Sequence, residues 1–188
     1  MSGEPERSDD RTHEAGAALL ALYDRALPEV YGYLLSRCGG QPPVAQDLTG
    51  ETFLAAVKAV QSGAPPDPMT TAWLVGVARH KLADHWRRLA REERKLAAVA
   101  DVDDDPDDPW DVRLDALRAR ATLAQLAPQH RAALTLRYVD DLPVTEVATL
   151  LGRSVHATEA LLSRAKASFR RAYGDDDRHD EGAEDRDA

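Results

Sequence analysis

Residues 142–171 read LPVTEVATLLGRSVHATEALLSRAKASFRR, and the pattern in this stretch decides the fold. Val144, Val147, Ala148 and Leu151 are apolar at helical spacing. Pro143 suits the first turn of that helix, where its missing N–H costs nothing. Gly152 supplies the left-handed residue on which a helix ends, and Ser154 is a good N-cap for the next one. In the second helix Ala157, Ala160, Leu161, Ala165 and Phe169 can face inward, and Arg164, Lys166, Arg170 and Arg171 outward. Two short helices joined by a glycine turn form a helix-turn-helix. In that motif the N-terminal part of the second helix enters the major groove. Arg153, Ser154, His156, Thr158, Glu159 and Ser163 are therefore the candidates to reach bases or nearby phosphates. Glu159 could accept from a cytosine amino group. Arg164, Lys166, Arg170 and Arg171 suit phosphates, which set affinity and not sequence. An ordinary helical hairpin with solvated charges would show the same spacing.

Upstream of this motif the chain alternates helical patterns with breaks. Leu114, Leu117, Ala121 and Leu123 fall on one helix, and Pro128 opens another that carries Ala133, Leu134, Leu136 and Tyr138. Residues 101–112 hold seven acidic and no basic residues. That acidic, proline-containing stretch is the expected linker between two domains, 15–100 and 113–173. In the first domain Leu19, Leu20, Tyr23, Leu27, Val30, Tyr31, Leu34 and Leu35 recur at helical spacing, with a kink or a fresh first turn expected at Pro28. Gly39-Gly40 stops that helix. A second is expected over 43–60, with Val44, Leu48, Phe53, Ala56, Val57 and Val60 on its apolar face. After a proline-rich loop, a third is expected over 69–95. Trp73, Val77, Leu82, His85, Trp86 and Leu89 make its stripe, and Arg79, Lys81, Arg87, Arg88, Arg91, Arg94 and Lys95 its basic side. The expected fold class is all-α: a helical bundle and a helix-turn-helix domain.

The formal net charge of -9 at first argues against nucleic acid as a partner. The acid is concentrated, however, in the linker and in two polar ends, 1–14 and 174–188, which are expected to be disordered. Residues 113–173 hold ten basic and five acidic residues, so the foldable parts are mildly basic. Cys38 is the only cysteine, so no intrachain disulfide forms, and a cysteine-built metal site is not expected. His80 and His85 lack the carboxylate or thiol company of a metal site. No phosphate-binding glycine loop, nucleophile elbow or metal-ligand spacing points to an enzyme. With no apolar run of membrane length and no signal peptide, a soluble cytoplasmic protein without cofactor or metal is expected.

Three segments, in this order, resemble one family. Residues 126–171, LAPQHRAALTLRYVDDLPVTEVATLLGRSVHATEALLSRAKASFRR, resemble the C-terminal conserved region (region four) of sigma factors. Residues 45–57, AQDLTGETFLAAV, and 72–88, AWLVGVARHKLADHWRR, resemble the N-terminal region two of the same proteins. The resemblance is to the small extracytoplasmic-function group of the sigma-70 family and covers residues 19–173. It implies a factor that binds the clamp helices and flap of core RNA polymerase and directs initiation at promoters, under the control of an anti-sigma factor. The N-terminal domain would open the −10 element and the C-terminal domain would bind the −35 element.

Carried over residue by residue, Asp47, Leu48, Glu51, Thr52 and Phe53 match the polymerase-binding stretch; Phe53 by itself fits core packing. Arg79, Lys81, Arg87 and Arg88 match the basic face along the −10 strand, and His80, Asp84 and Trp86 join the candidate set. Trp86 suits either core packing or stacking on an unpaired base. Arg153, Ser154, His156, Thr158, Glu159, Ser163, Arg164 and Lys166 form the −35 set. Three departures stand out. Gly50 replaces a usual glutamine and lowers helix propensity by about 1 kcal/mol. His80 replaces a common asparagine. Glu159 and Leu161 occupy positions often held by lysine and arginine. The other reading is a helix-turn-helix regulator that binds an operator and needs a separate sigma factor. Response regulators of that kind usually carry a strand–helix receiver domain, and residues 15–100 contain none.

Overall fold

The computed structural model describes the backbone of residues 4–96 and 116–184, and the side chains of residues 12–95 and 116–174. All regular structure among them is helical. The chain divides into two units, Met1–Leu82 and Ala83–Ala188. The division falls inside a helix, upstream of the acidic stretch 101–112, which lies outside the described residues, as does Leu114.

In the first unit, α1 (Glu4–Arg37) packs along α2 (Pro42–Gln61). Ala26, Ala45 and Ala56 are wholly buried and let the two backbones approach, while Val30, Leu34, Leu48 and Val60 fill the space between. Leu34→Ala would cost about 2–5 kcal/mol through lost transfer energy and a cavity. Tyr23 and Phe53 meet across the pair with ring centroids 4.8 Å apart and planes tilted by 59°. The buried hydroxyls of Thr49 and Thr52 donate to the Ala45 and Leu48 carbonyls, each at 2.7 Å. The backbone of residues 4–14 belongs to α1, with Pro5 in its first turn. Pro28 lies inside α1, so no fresh helix begins there. Gly39 and Gly40, with φ of 67° and 69°, close that helix, and the Gly40 N–H donates to the Leu35 carbonyl at 3.2 Å.

Helix α3 (Thr71–Leu96) is capped by Thr70, whose hydroxyl accepts from the Trp73 N–H at 3.2 Å. Its buried stripe is Leu74, Ala78, Leu82, Trp86 and Ala90, a strict four-residue repeat. Trp73 and Val77, expected in the stripe, are only half-buried.

The second unit holds the last part of α3 together with α4 (Ala116–Gln125), α5 (Pro128–Leu134), α6 (Val144–Leu151) and α7 (Val155–Glu184). A π-helical turn over Thr135–Val139 continues α5. Helix α7 is the spine, packing against α4, α5 and α6. Its Leu161, Leu162, Ala165 and Phe169 are buried with Ala132, Ala133, Leu136, Val147 and Leu151. The Arg118 guanidinium lies 4.1 Å over the Tyr173 ring and donates to the Tyr173 carbonyl. Leu117 on α4 is 77% exposed, and Thr122 is the buried residue of that helix. The backbone of α7 runs on through Gly174 to Glu184.

Candidate DNA and polymerase contact faces

The helix-turn-helix forms where its residues direct. Pro143 has extended backbone and occupies the cap of α6 itself, one residue outside the expected first turn. Gly152 is left-handed (φ 64°, ψ 41°), and the Arg153 N–H reaches back to the Ala148 carbonyl at 2.9 Å. The Ser154 hydroxyl accepts from the Ala157 N–H at 3.2 Å, capping α7. The preceding loop is pinned by Arg137, which donates to the Leu142 carbonyl at 3.1 Å.

The exposed face of α7 carries His156, Glu159 and Ala160, followed by half-buried Ser163 and Lys166 and then exposed Arg170. The spacing of three and four makes one stripe. Arg164 is half-buried beside it. Arg153 is half-buried and donates to the Gln129 side-chain oxygen at 3.3 Å. Burial, and then Arg94 and Arg164, lower the Arg153 guanidinium from its ordinary value. Thr158 is a correction. It is wholly buried, and its hydroxyl donates to the Ser154 carbonyl at 2.9 Å. The inward face of α7 is set by α5 and α6 and runs through Thr158, Leu161, Leu162, Ala165 and Phe169, so Thr158 points away from any groove. Ala160, expected inward, is exposed. Leu161 is buried and contributes packing rather than a surface contact.

On α2 the candidate residues split. Asp47 and Glu51 are exposed one turn apart, with exposed Gly50 between them. Leu48, Thr52 and Phe53 are buried: they hold α2 against its neighbours and cannot offer their side chains to a partner. On α3 His80, Asp84 and Arg88 are exposed, and Arg79, Lys81 and Arg87 half-buried. Asp84 accepts from Arg87, and Arg88 Nη2 lies 3.1 Å from His85 Nδ1. Trp86 is 1% exposed. Of its two readings the core one describes this structure, because no ring face is open to a base. Among the described residues no cluster of His, Cys, Asp and Glu could hold a metal ion, and no helix is long and apolar enough to cross a membrane.

Two family models match the chain. Sigma-70 region 2 matches residues 22–92, and Sigma-70 region 4 matches residues 116–169. The chain belongs to the sigma-70 family. Relatives that are 32–35% identical to it carry the extracytoplasmic-function (ECF) designation and set it in that group of sigma factors. The ECF RNA polymerase sigma factor BldN of Streptomyces coelicolor is 34% identical over 84% of this chain, which spans 61% of BldN's length. SigF of Caulobacter vibrioides is 35% identical over 84% of this chain and 83% of its own length. SigL of Mycobacterium tuberculosis is 32% identical over 83% of this chain and 89% of its own length.

Sigma region 2 thus takes in α2 and nearly all of α3, and region 4 begins at α4. Sequence reasoning missed two features of these regions. Gln129, on α5, holds Arg153 from 24 residues away, and no local pattern announces such a pair. Half-buried His130 lies within the influence of Arg164 and Arg171. Burial first, then those two charges, lower it from its ordinary value of 6.5.

Proposed function

We propose that this ECF-type chain acts as a sigma factor, binding core RNA polymerase and directing it to promoters with −10 and −35 elements. The capped helix-turn-helix carries this reading: Arg153 and Ser154 in the turn precede His156, Glu159 and Ser163 on the N-terminal part of α7, with Arg164 and Lys166 further along. Those residues would read the −35 duplex, with Arg164 and Lys166 on phosphates. Arg79, His80, Lys81, Asp84, Arg87 and Arg88 on α3 would follow the −10 strand, with loop 62–68 nearby in sequence. Asp47 and Glu51 would meet the clamp helices of the polymerase, and region 4 its flap. In this division of labour the polymerase and −10 functions belong to residues 15–100 and the −35 function to residues 113–173. The role is regulatory and cytoplasmic, with no catalysis of its own. An anti-sigma factor is the expected controlling partner for a member of this group.

Run-off transcription with purified core polymerase and a genomic promoter library tests the reading. The expected result is co-purification with core polymerase and initiation at a defined promoter set. Neither binding nor initiation, even at low salt, would overturn it. Transcription that needs a second sigma factor would identify an operator-binding regulator instead.

A further inference from the structure

The second unit contains a cavity of about 340 Å³ whose lining is chemically one-sided. Arg87, Arg91 and Arg94 reach it from one helix at intervals of four and three residues, and Arg153 from the turn before α7. The rest of the lining includes the Gln129 side chain, which accepts from Arg153, and the apolar Trp86 and Leu161. No carboxylate lines the cavity among the described residues, although Arg87 also bonds Asp84 outside it. The approach is close: a Cβ built on Gly152 would stand 3.2 Å from Arg87 Nη1. Burial first, then Arg94 and Arg164, lower the Arg153 guanidinium from its ordinary value.

We propose that this cavity is a binding site for a compact, multiply charged phosphate anion of the di- or triphosphate class. Its volume lies at the small end of the range for ligand pockets. Guanidinium forks match phosphate oxygens two at a time, and four arginines line this cavity. A concave pocket suits a discrete anion better than the continuous backbone of a duplex, which needs an open track. Arg87 and Arg153 are also the residues assigned above to promoter DNA. On that reading an anion held between them competes with the promoter, and the site becomes a regulatory input. Anion binding itself does not depend on that assignment.

The test is calorimetric titration of the full chain, free of polymerase and DNA, with inorganic orthophosphate, pyrophosphate and tripolyphosphate at low ionic strength. Saturable one-to-one binding is expected, with tripolyphosphate favoured over orthophosphate by about tenfold or more. Arg91→Ala combined with Arg94→Ala should weaken it by about tenfold or more. Arg170→Ala combined with Arg171→Ala removes the same charge outside the cavity and should leave it unchanged. Nitrogen-15 shifts of arginine Nε on adding tripolyphosphate should concentrate on Arg87, Arg91, Arg94 and Arg153, a readout that stands if the double variant misfolds. Equal weakening by the two double variants, shifts spread over all arginines, or no saturation would each overturn the proposal. Because the titration contains neither polymerase nor promoter, its failure would leave the sigma-factor reading to its own transcription test.

Discussion

His130 and Thr158 are single residues whose burial sets testable behaviour. The folded chain holds His130 below its ordinary value of 6.5, through burial and then Arg164 and Arg171. Near that value the unfolded chain therefore binds the proton more readily than the folded one. The contribution of neutral His130 to stability is complete above the unfolded value and is lost as pH falls through the lowered folded one. His130→Gln should flatten the dependence of Tm on pH between about 7 and 5; an unchanged slope would mean that other groups set it. Thr158 and Glu159 form a second contrast, because they are neighbours with opposite exposure. Thr158→Val removes a buried hydroxyl bond and should cost about 1 kcal/mol of stability while leaving promoter choice alone. Glu159→Gln should leave stability alone and change the preferred base at one −35 position by about tenfold. Transcription from a randomised −35 library, with Tm measured alongside, separates the two.

At the scale of elements, local chemistry was legible and helix phase was not. Gly152 and Ser154 announce their turn because each acts on backbone within a few residues. Which side of α7 faces inward depends on α5 and α6, so Thr158 and Ala160 exchanged places relative to the spacing argument. On α3 the buried stripe of Leu74, Ala78 and Leu82 lies one position from Trp73 and Val77 for the same reason: bulk suggested the larger residues, whereas packing chose the face. On α2, Asp47 and Glu51 are exposed and open to the contact proposed for them, while Leu48, Thr52 and Phe53 are occupied in the core. Two glycines test these elements. At Gly152 a side chain meets a left-handed backbone and the nearby Arg87 Nη1, so Gly152→Ala should lower stability by about 1 kcal/mol and Gly152→Asn by less. At Gly50 an added Cβ would meet nothing within 4 Å. Gly50→Gln should therefore raise stability by several tenths of a kcal/mol, about the helix-propensity gain. If Gly50 marks a lost polymerase contact, it should also tighten binding to core polymerase; weaker binding would mean that the gap itself serves the partner.

Across the whole molecule, the arrangement of charge matters more than its sum. The formal charge of -9 coexists with a basic region 4 because acidic residues gather near the ends and over 101–112. Helical backbone through Glu184 sharpens what the C-terminal acid can do. At about 1.5 Å per residue, Asp175 lies about 28 Å along the axis from His156. That is several times the screening length of about 8 Å at physiological ionic strength. The end of α7 proposed to read bases therefore lies beyond the reach of this acid along the helix, whereas Arg170 and Arg171 lie only about one turn from Asp175. Removing residues 175–188 should tighten binding of the free protein to promoter DNA through added phosphate attraction, and steepen its salt dependence. The gain should be largest at low salt and vanish as screening grows, with the preferred −35 bases unchanged. Titration of a labelled promoter fragment across ionic strength, for the full chain and the shortened one, measures both. A gain that persists at high salt, or a change in base preference, would show the tail acting by contact rather than by charge at a distance.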